Sequence, residues 1–405
     1  MPIKPIGVCR SAGLAAALTT LPMSAYAVLE VTPFVSATAE HDSNVFRFRD
    51  GDEALAQRGE RKRADTLMSY QAGLNANYTL GLQKFTLDGA VGKYEYDRFS
   101  ELDYKGHSVK GLLDWQLGSL VTGSLEASDK RELQGFETIT DAIDRSLRDE
   151  TGAALIVKLR LFQDWELRPR ARLARARYSL ETTRQQDLDE DEVALALSYL
   201  GRASLSVGLE GVLTQGEFIR REEGDGSVEE YDQETLQLVG RWTPNPISSI
   251  DYTLGASRRD NKGVDVDDDS AMVGSLGMTR NISQKTSLYG GVARAFQSAQ
   301  REGESTVVST SVNAGMYWNA TPYLTLNAYG YHAWETFKDS VLEGGELGDR
   351  KDEVLGLTAS VIYAPRPWIN LTPALGYADR SSEVDGEEYD AFQASLEFKL
   401  LYPMR

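Results

Sequence analysis

The end of the chain alternates strictly in character. Across 391–402 the even positions are Phe392, Ala394, Leu396, Phe398, Leu400 and Tyr402, while the odd ones include Gln393, Ser395, Glu397 and Lys399. A strand sends successive side chains to opposite faces, so this segment carries one apolar and one polar face. The same period of two runs from residue 28 onward. In 68–78, Met68, Tyr70, Ala72, Leu74, Ala76 and Tyr78 alternate with Ser69, Gln71, Gly73, Asn75 and Asn77. Segments 109–117, 203–214, 308–318 and 355–363 read the same way, whereas 287–297 alternates poorly, with Leu288, Val292 and Arg294 on one parity, and a bulge is expected there.

The connections alternate too. Short ones fall near 79–82, 117–119, 162–165, 200–202, 243–248, 281–284, 318–322 and 364–368, and longer polar ones lie between them. Eight short turns joining nine hairpins predict 18 antiparallel strands, with 16 as the lower bound. Tight turns on one side and long loops on the other describe an all-β, up-and-down transmembrane barrel of the outer membrane. Trp115, Trp165, Trp242, Trp318, Trp368 and Tyr402 all flank short connections, as an interfacial aromatic girdle would. A soluble β-sandwich fits poorly, because sandwich strands are shorter and their turns do not alternate in length.

The N-terminus sets the compartment. Lys4 and Arg10 precede the apolar run "AGLAAALTTL" at 12–21, and Ala25-Tyr26-Ala27 offers a small-x-small cleavage signal. We expect residues 1–27 to be a secretory signal peptide cut after Ala27, leaving 28–405 as one barrel in the outer membrane. Cys9 is the one cysteine, so the mature chain would have neither a disulfide framework nor a cysteine metal site. Loss of 1–27 removes two bases and no acid, taking the net charge from −18 to −20.

Nothing in the sequence points to catalysis or a cofactor. His41, His107 and His332 show no spacing with a nucleophile and an acid, and phosphate-loop, zinc and EF-hand patterns are absent. "DVDDDS" at 265–270 lacks the glycine and distal glutamate of an EF-hand and reads as a solvated acidic loop. Acid gathers in the loops, where Asp187, Glu222, Asp225 and Asp268 are among those expected to face lipopolysaccharide, with divalent cations bridging the like charges. By parity the inner wall is small and polar and includes Thr122, Ser206, Asn313, Asn327, Tyr329, Tyr331, Thr358 and Ser360, which suits hydrated sugars or other small solutes.

Against this acidic background stands "RPRARLARARYSLE" at 168–181. Arg168, Arg170 and Arg172 share a face opposite Leu167 and Leu173, and then Arg175 and Arg177 fall on the opposite parity. Two lipid-facing arginines would each cost about 2–4 kcal/mol at the midplane. A one-residue bulge near Leu173–Ala174 is therefore expected, returning all five to the lumen. With Lys158 and Arg160 they would form a basic ladder, free to select anions or neutralised by Glu126, Glu150 and Glu192. The run is not a nucleic-acid patch.

Just past the first strand, "EHDSNVFR" at 40–47 places Glu40, Asp42, Asn44 and Arg47 in a pattern that resembles the opening of EpsL-type outer-membrane barrels and their wider porin 2-like relatives, which are encoded with exopolysaccharide genes. The resemblance implies a conduit or accessory in exopolysaccharide export, working with other export components, with the polymer or an oligosaccharide as partner. It supplies no catalytic residue. The alternatives are a general or oligosaccharide-specific diffusion porin, and a structural barrel anchoring matrix through its loops.

Overall fold

A computed structural model of the chain describes residues 27–136, 144–201, 204–221, 228–263, 268–298, 306–341, 347–384 and 386–402. The expected signal segment, its cleavage, and the loop acids Glu222, Asp225 and Asp265 lie outside the described residues.

Eighteen strands form one antiparallel sheet. They are β1 (Ala27–Asp42), β2 (Asp65–Leu80), β3 (Gln83–Tyr96), β4 (Tyr104–Leu117), β5 (Val121–Leu133) and β6 (Leu147–Phe162). Next come β7 (Trp165–Tyr178), β8 (Leu188–Tyr199), β9 (Leu205–Phe218), β10 (Glu230–Asn245), β11 (Ser248–Lys262) and β12 (Asp269–Asn281). The last are β13 (Thr286–Ser298), β14 (Thr306–Thr321), β15 (Leu324–Val341), β16 (Leu347–Arg366), β17 (Ile369–Ser382) and β18 (Tyr389–Leu401). Each pairs with its sequence neighbours, and β1 also pairs with β18 from Phe34↔Leu401 to Asp42↔Gln393, closing the ring. One short helix, α1 (Gly51–Arg58), follows β1.

Partners across an antiparallel pair point to the same face. The faces can therefore be followed round the ring from one known position. Leu195 is 53% exposed on β8, and its partners Pro169 and Gly211 share the outward face, while Ala194 is buried on the inner side. Leu125 and Leu155, Leu236 and Ala256, and Leu375 and Ala394 continue this apolar outer band. The tryptophans 165, 242 and 318 are exposed on it beside the short turns, and Trp368 is exposed in the turn between β16 and β17.

The strands are 12 to 20 residues long, whereas about 9–11 residues cross a bilayer. The surplus emerges on the long-loop side, and there the outer face changes from apolar to charged. Outward pairs at that level include Lys93 with Glu95, His107 with Asp129, Arg131 with Asp149 and Lys262 with Asp232.

This overhang overturns one expectation. β7 pairs with β8 in unbroken register from Trp165↔Tyr199 to Ala176↔Leu188, with no bulge near Leu173. Arg175 and Arg177 therefore face outward. They avoid the lipid penalty by height, sitting above the apolar band against Asp189 and Asp191. Arg175 lies 3.2 Å from Asp189 and 2.6 Å from Asp191, and Arg177 also pairs with Asp189. β13 likewise runs without a bulge against β14, and outward Arg294 donates to Thr310 Oγ1 at 2.6 Å.

A step of one residue must switch a probe between lipid and lumen. Because the only cysteine is Cys9, bimane can be placed cleanly. Bimane on Leu195→Cys should be quenched by lipids brominated in mid-chain, and bimane on Ala194→Cys should not.

Candidate functional site

The inner wall bears two sectors of distinct chemistry, and the mouth above them is shaped by folded-in loops. The first sector lies on β6 to β9. Arg168, Arg170 and Arg172 point inward from β7, since they pair with inward Ile156, Ala154 and Ala196. Lys158 and Arg160 point inward from β6. The acids that answer them stand on the next two strands. Arg170 lies 3.0 Å from Glu192, Arg172 lies 3.3 Å from Glu190, and Arg168 lies 3.8 Å from Glu210. Glu210 is itself buried and accepts from Gln237 Nε2 at 2.9 Å, while Glu190 accepts from Tyr231 Oη at 2.7 Å.

The cations of β6 and β7 thus face carboxylates from several sides: Glu190, Glu192 and Glu210 on β8 and β9, Glu150 on β6, and Glu166 of β7 in register with Arg160. Lys158 and Arg160 are exposed and have no ion pair among the described residues. Of the acids foreseen as partners, Glu192 does meet an arginine of the ladder. Glu126 pairs instead with Lys110 at 2.8 Å, and Glu150 with Arg148. Sequence periodicity located the three inward arginines and missed Glu190 and Glu210, because their role depends on which strands are neighbours and in what register.

The "EHDSNVFR" residues build the mouth. Glu40 and Asp42 face inward at the top of β1. Asp42 accepts from Asn44 N–H at 2.7 Å and from Arg47 Nη1 at 2.9 Å, and Gln393 of β18 donates to it at 2.9 Å. Asn44 is fully buried. Its amide donates to the carbonyls of Phe48 at 2.6 Å and Asp390 at 2.9 Å, and accepts from Phe48 N–H at 3.0 Å. Arg47 sits in the left-handed region at φ 60°, a conformation that a non-glycine residue adopts only where its surroundings enforce it. Here the enforcing contacts are Asp42, the Asn44 carbonyl and the ring of Tyr389.

This knot turns the chain back over the rim and buries Phe46 and Phe48 with Ala54 of α1, Phe99, Leu102 and Phe136 against inward Tyr96. Arg58 lies 4.0 Å over the ring of Phe46. Asp50 caps α1 by accepting from the N–H groups of Asp52 and Glu53. Those donors hold its carboxyl below the usual carboxylate range. The cap therefore contributes above the ordinary carboxylate value and is lost as pH falls through the lowered one. On β16 and β17, two to three strands round the rim from β1, a second anchor forms, where fully buried Asp352 meets Arg380, Arg350 at 3.3 Å and Ser382 Oγ at 2.6 Å. The three histidines stand apart on the outer face, with His41 beside Thr66, His107 beside Asp129 and His332 beside Glu353.

No family model and no curated protein matches the sequence. Solved structures do. Pseudomonas aeruginosa OccK9 (OpdG) is 14% identical over 92% of this chain and 98% of its own, with a TM-score of 0.50. Acinetobacter baumannii OccAB3 is 10% identical over 93% and 99%, with a TM-score of 0.49. The outer membrane protein OpdK of P. aeruginosa is 13% identical over 92% and 99%, with a TM-score of 0.47. At these identities the likeness is one of fold: the closed 18-strand antiparallel barrel that these outer-membrane proteins share.

Removing the Asn44 amide strands a buried N–H and two carbonyls, at about 1–3 kcal/mol for such a loss. Asn44→Ala should lower the thermal unfolding midpoint of the detergent-solubilised barrel and raise its single-channel conductance as the first loop is released. Unchanged conductance with a lowered midpoint would confine the knot to a stabilising role.

Proposed function

We propose that this barrel is a diffusion porin whose lumen favours small anionic solutes. The observation that carries the reading is the row of cations on its inner wall. Arg168, Arg170 and Arg172 rise in a line along β7, with Lys158 and Arg160 beside them; the carboxylates that pair with the β7 arginines stand on β8 and β9, and Glu166 faces Arg160 at the foot of the line. A solute passing this wall meets cations in a row at strand spacing, about 6.6 Å from one inward residue to the next. Its anionic group can move from one to the next while staying solvated. The work of passage comes from the concentration gradient, and no covalent step is needed.

The wall is not a free cationic strip. Glu190, Glu192 and Glu210 neutralise much of the β7 charge, so the net preference rests mainly on Lys158 and on Arg160, the latter tempered by Glu166 across the β6–β7 pair. A unit charge about 10 Å from a permeant ion in water is worth about 0.4 kcal/mol, roughly a factor of two in local ion concentration. The expected selectivity is accordingly modest and falls with salt.

A second reading, assistance to exopolysaccharide export, is supported by the resemblance at Glu40, Asp42, Asn44 and Arg47. Three of these four residues, Asp42, Asn44 and Arg47, share one knot at the mouth. Deleting the gene separates the two. Lost polymer with normal uptake favours export, and slowed solute uptake with normal polymer favours the porin.

In planar bilayers under a salt gradient the protein should show anion preference. Lys158→Ala with Arg160→Ala should reduce the anion-to-cation permeability ratio by about two- to fourfold. Arg170→Ala with Arg172→Ala should shift it further toward cations, because Glu190 and Glu192 are then unpaired. A wild-type barrel selective for cations, with both double variants unchanged, would sink the anionic reading.

A further inference from the structure

The second sector of the inner wall lies on β13 to β15. β14 stands seven places round from β7 in the ring of 18, where nine would be diametrically opposite. Here the wall carries rings instead of charges. Gly315 of β14 pairs with Tyr289 on one side and Tyr329 on the other. With no side chain at 315, both rings have room to lean over β14. The Tyr289 ring lies across Gly315, and a Cβ at that position would overlap it. The centroids of Tyr289 and Tyr329 are 6.2 Å apart with planes within 19°, and Tyr331 continues the row 6.1 Å beyond. Tyr289 and Tyr329 are 38% and 36% exposed, so part of each ring is open on the lumen side, where no lipid covers it.

Two amides flank the rings. Asn313 pairs in register with Tyr331, and Asn327 lies one inward step below Tyr329 on β15. Neither side chain has a hydrogen-bond partner among the described residues. A primary amide offers two donors and an acceptor, and aromatic faces attract apolar surface of matching flatness. Rings that present apolar faces with hydroxyls round their edges satisfy both demands. We propose that this row is a stacking strip for the pyranose rings of carbohydrate. The strip rests on the lumen being open to solute, as the porin reading requires, and it names a second class of solute that the arginine wall does not select.

The test uses maltohexaose as a neutral probe, with the folded barrel in detergent and by ion-current blockade in bilayers. Saturable binding is expected. Tyr329→Leu and Tyr289→Leu should each weaken it about three- to tenfold, the size of a ring contact, while Tyr329→Phe retains it. Arg170→Ala should leave it unchanged. Heat-modifiable migration of each variant verifies that the barrel has folded. Binding indifferent to the tyrosine variants overturns the strip. So does absence of binding in a preparation whose channels conduct, and that result leaves the porin reading standing. A barrel that conducts nothing yet binds maltohexaose through Tyr329 removes the porin reading and keeps the strip. A barrel that does neither removes both. Retention of benzoate in place of maltohexaose overturns the carbohydrate assignment.

Discussion

A backbone amide in hydrocarbon can bond only to protein, and this one constraint organises the chain. A sheet satisfies it only if it has no edge. The seam between β1 and β18, nine paired residues from Phe34↔Leu401 to Asp42↔Gln393, removes the last edge. Closure then dictates the side chains. Every strand must show lipid an apolar residue at alternate positions, and the remaining positions are left free for water. The polar lumen, with its arginines, carboxylates and tyrosines, occupies positions that the fold has no need to make apolar. That freedom is what lets the proposed site lie on strands here, whereas in most folds functional residues lie on loops.

Height along the strand is the second organiser. The same alternation of parity means different things at different levels. Within the membrane an outward arginine is costly; above it, the position is an ordinary solvated one that ion pairs can occupy. Arg172 and Arg175 are three residues apart on one straight strand. One faces the lumen beside Glu190, and the other faces outward beside Asp189 and Asp191. Strand length, beyond what the bilayer needs, allows both without a distortion of the backbone.

Much of the architecture was legible in the sequence because period-two alternation is a local signal. The strand number, the inward set on β14 to β16 and the tryptophans at the short turns all follow from it. What was not legible had two causes. The outward placement of Arg175 and Arg177 depends on how far β7 projects past the membrane, and parity carries no information on height. The partners of the ladder depend on register between strands. Glu190 and Glu192 sit at inward positions of β8 that any reader can mark, but only pairing with β7 shows which arginine each meets. Glu126 and Glu150, equally plausible by parity, are used elsewhere by Lys110 and Arg148. The residues quoted for the family resemblance gave a pattern without a mechanism, and the hydrogen bonds of Asn44 supply a structural one. Gly315 was silent in the sequence, since its effect is exerted through rings on two other strands.

The bond from Asn44 to the Asp390 carbonyl joins residues 346 positions apart. They become neighbours only when the first and last strands have met. Burial of Phe46 and Phe48 at the rim is therefore tied to completion of the sheet, and a partly assembled intermediate lacks the contacts that fold the first loop over the opening. The entrance acquires its final shape only once the wall is sealed. Assembly order is thus written into the geometry: the narrowed mouth belongs to a finished barrel.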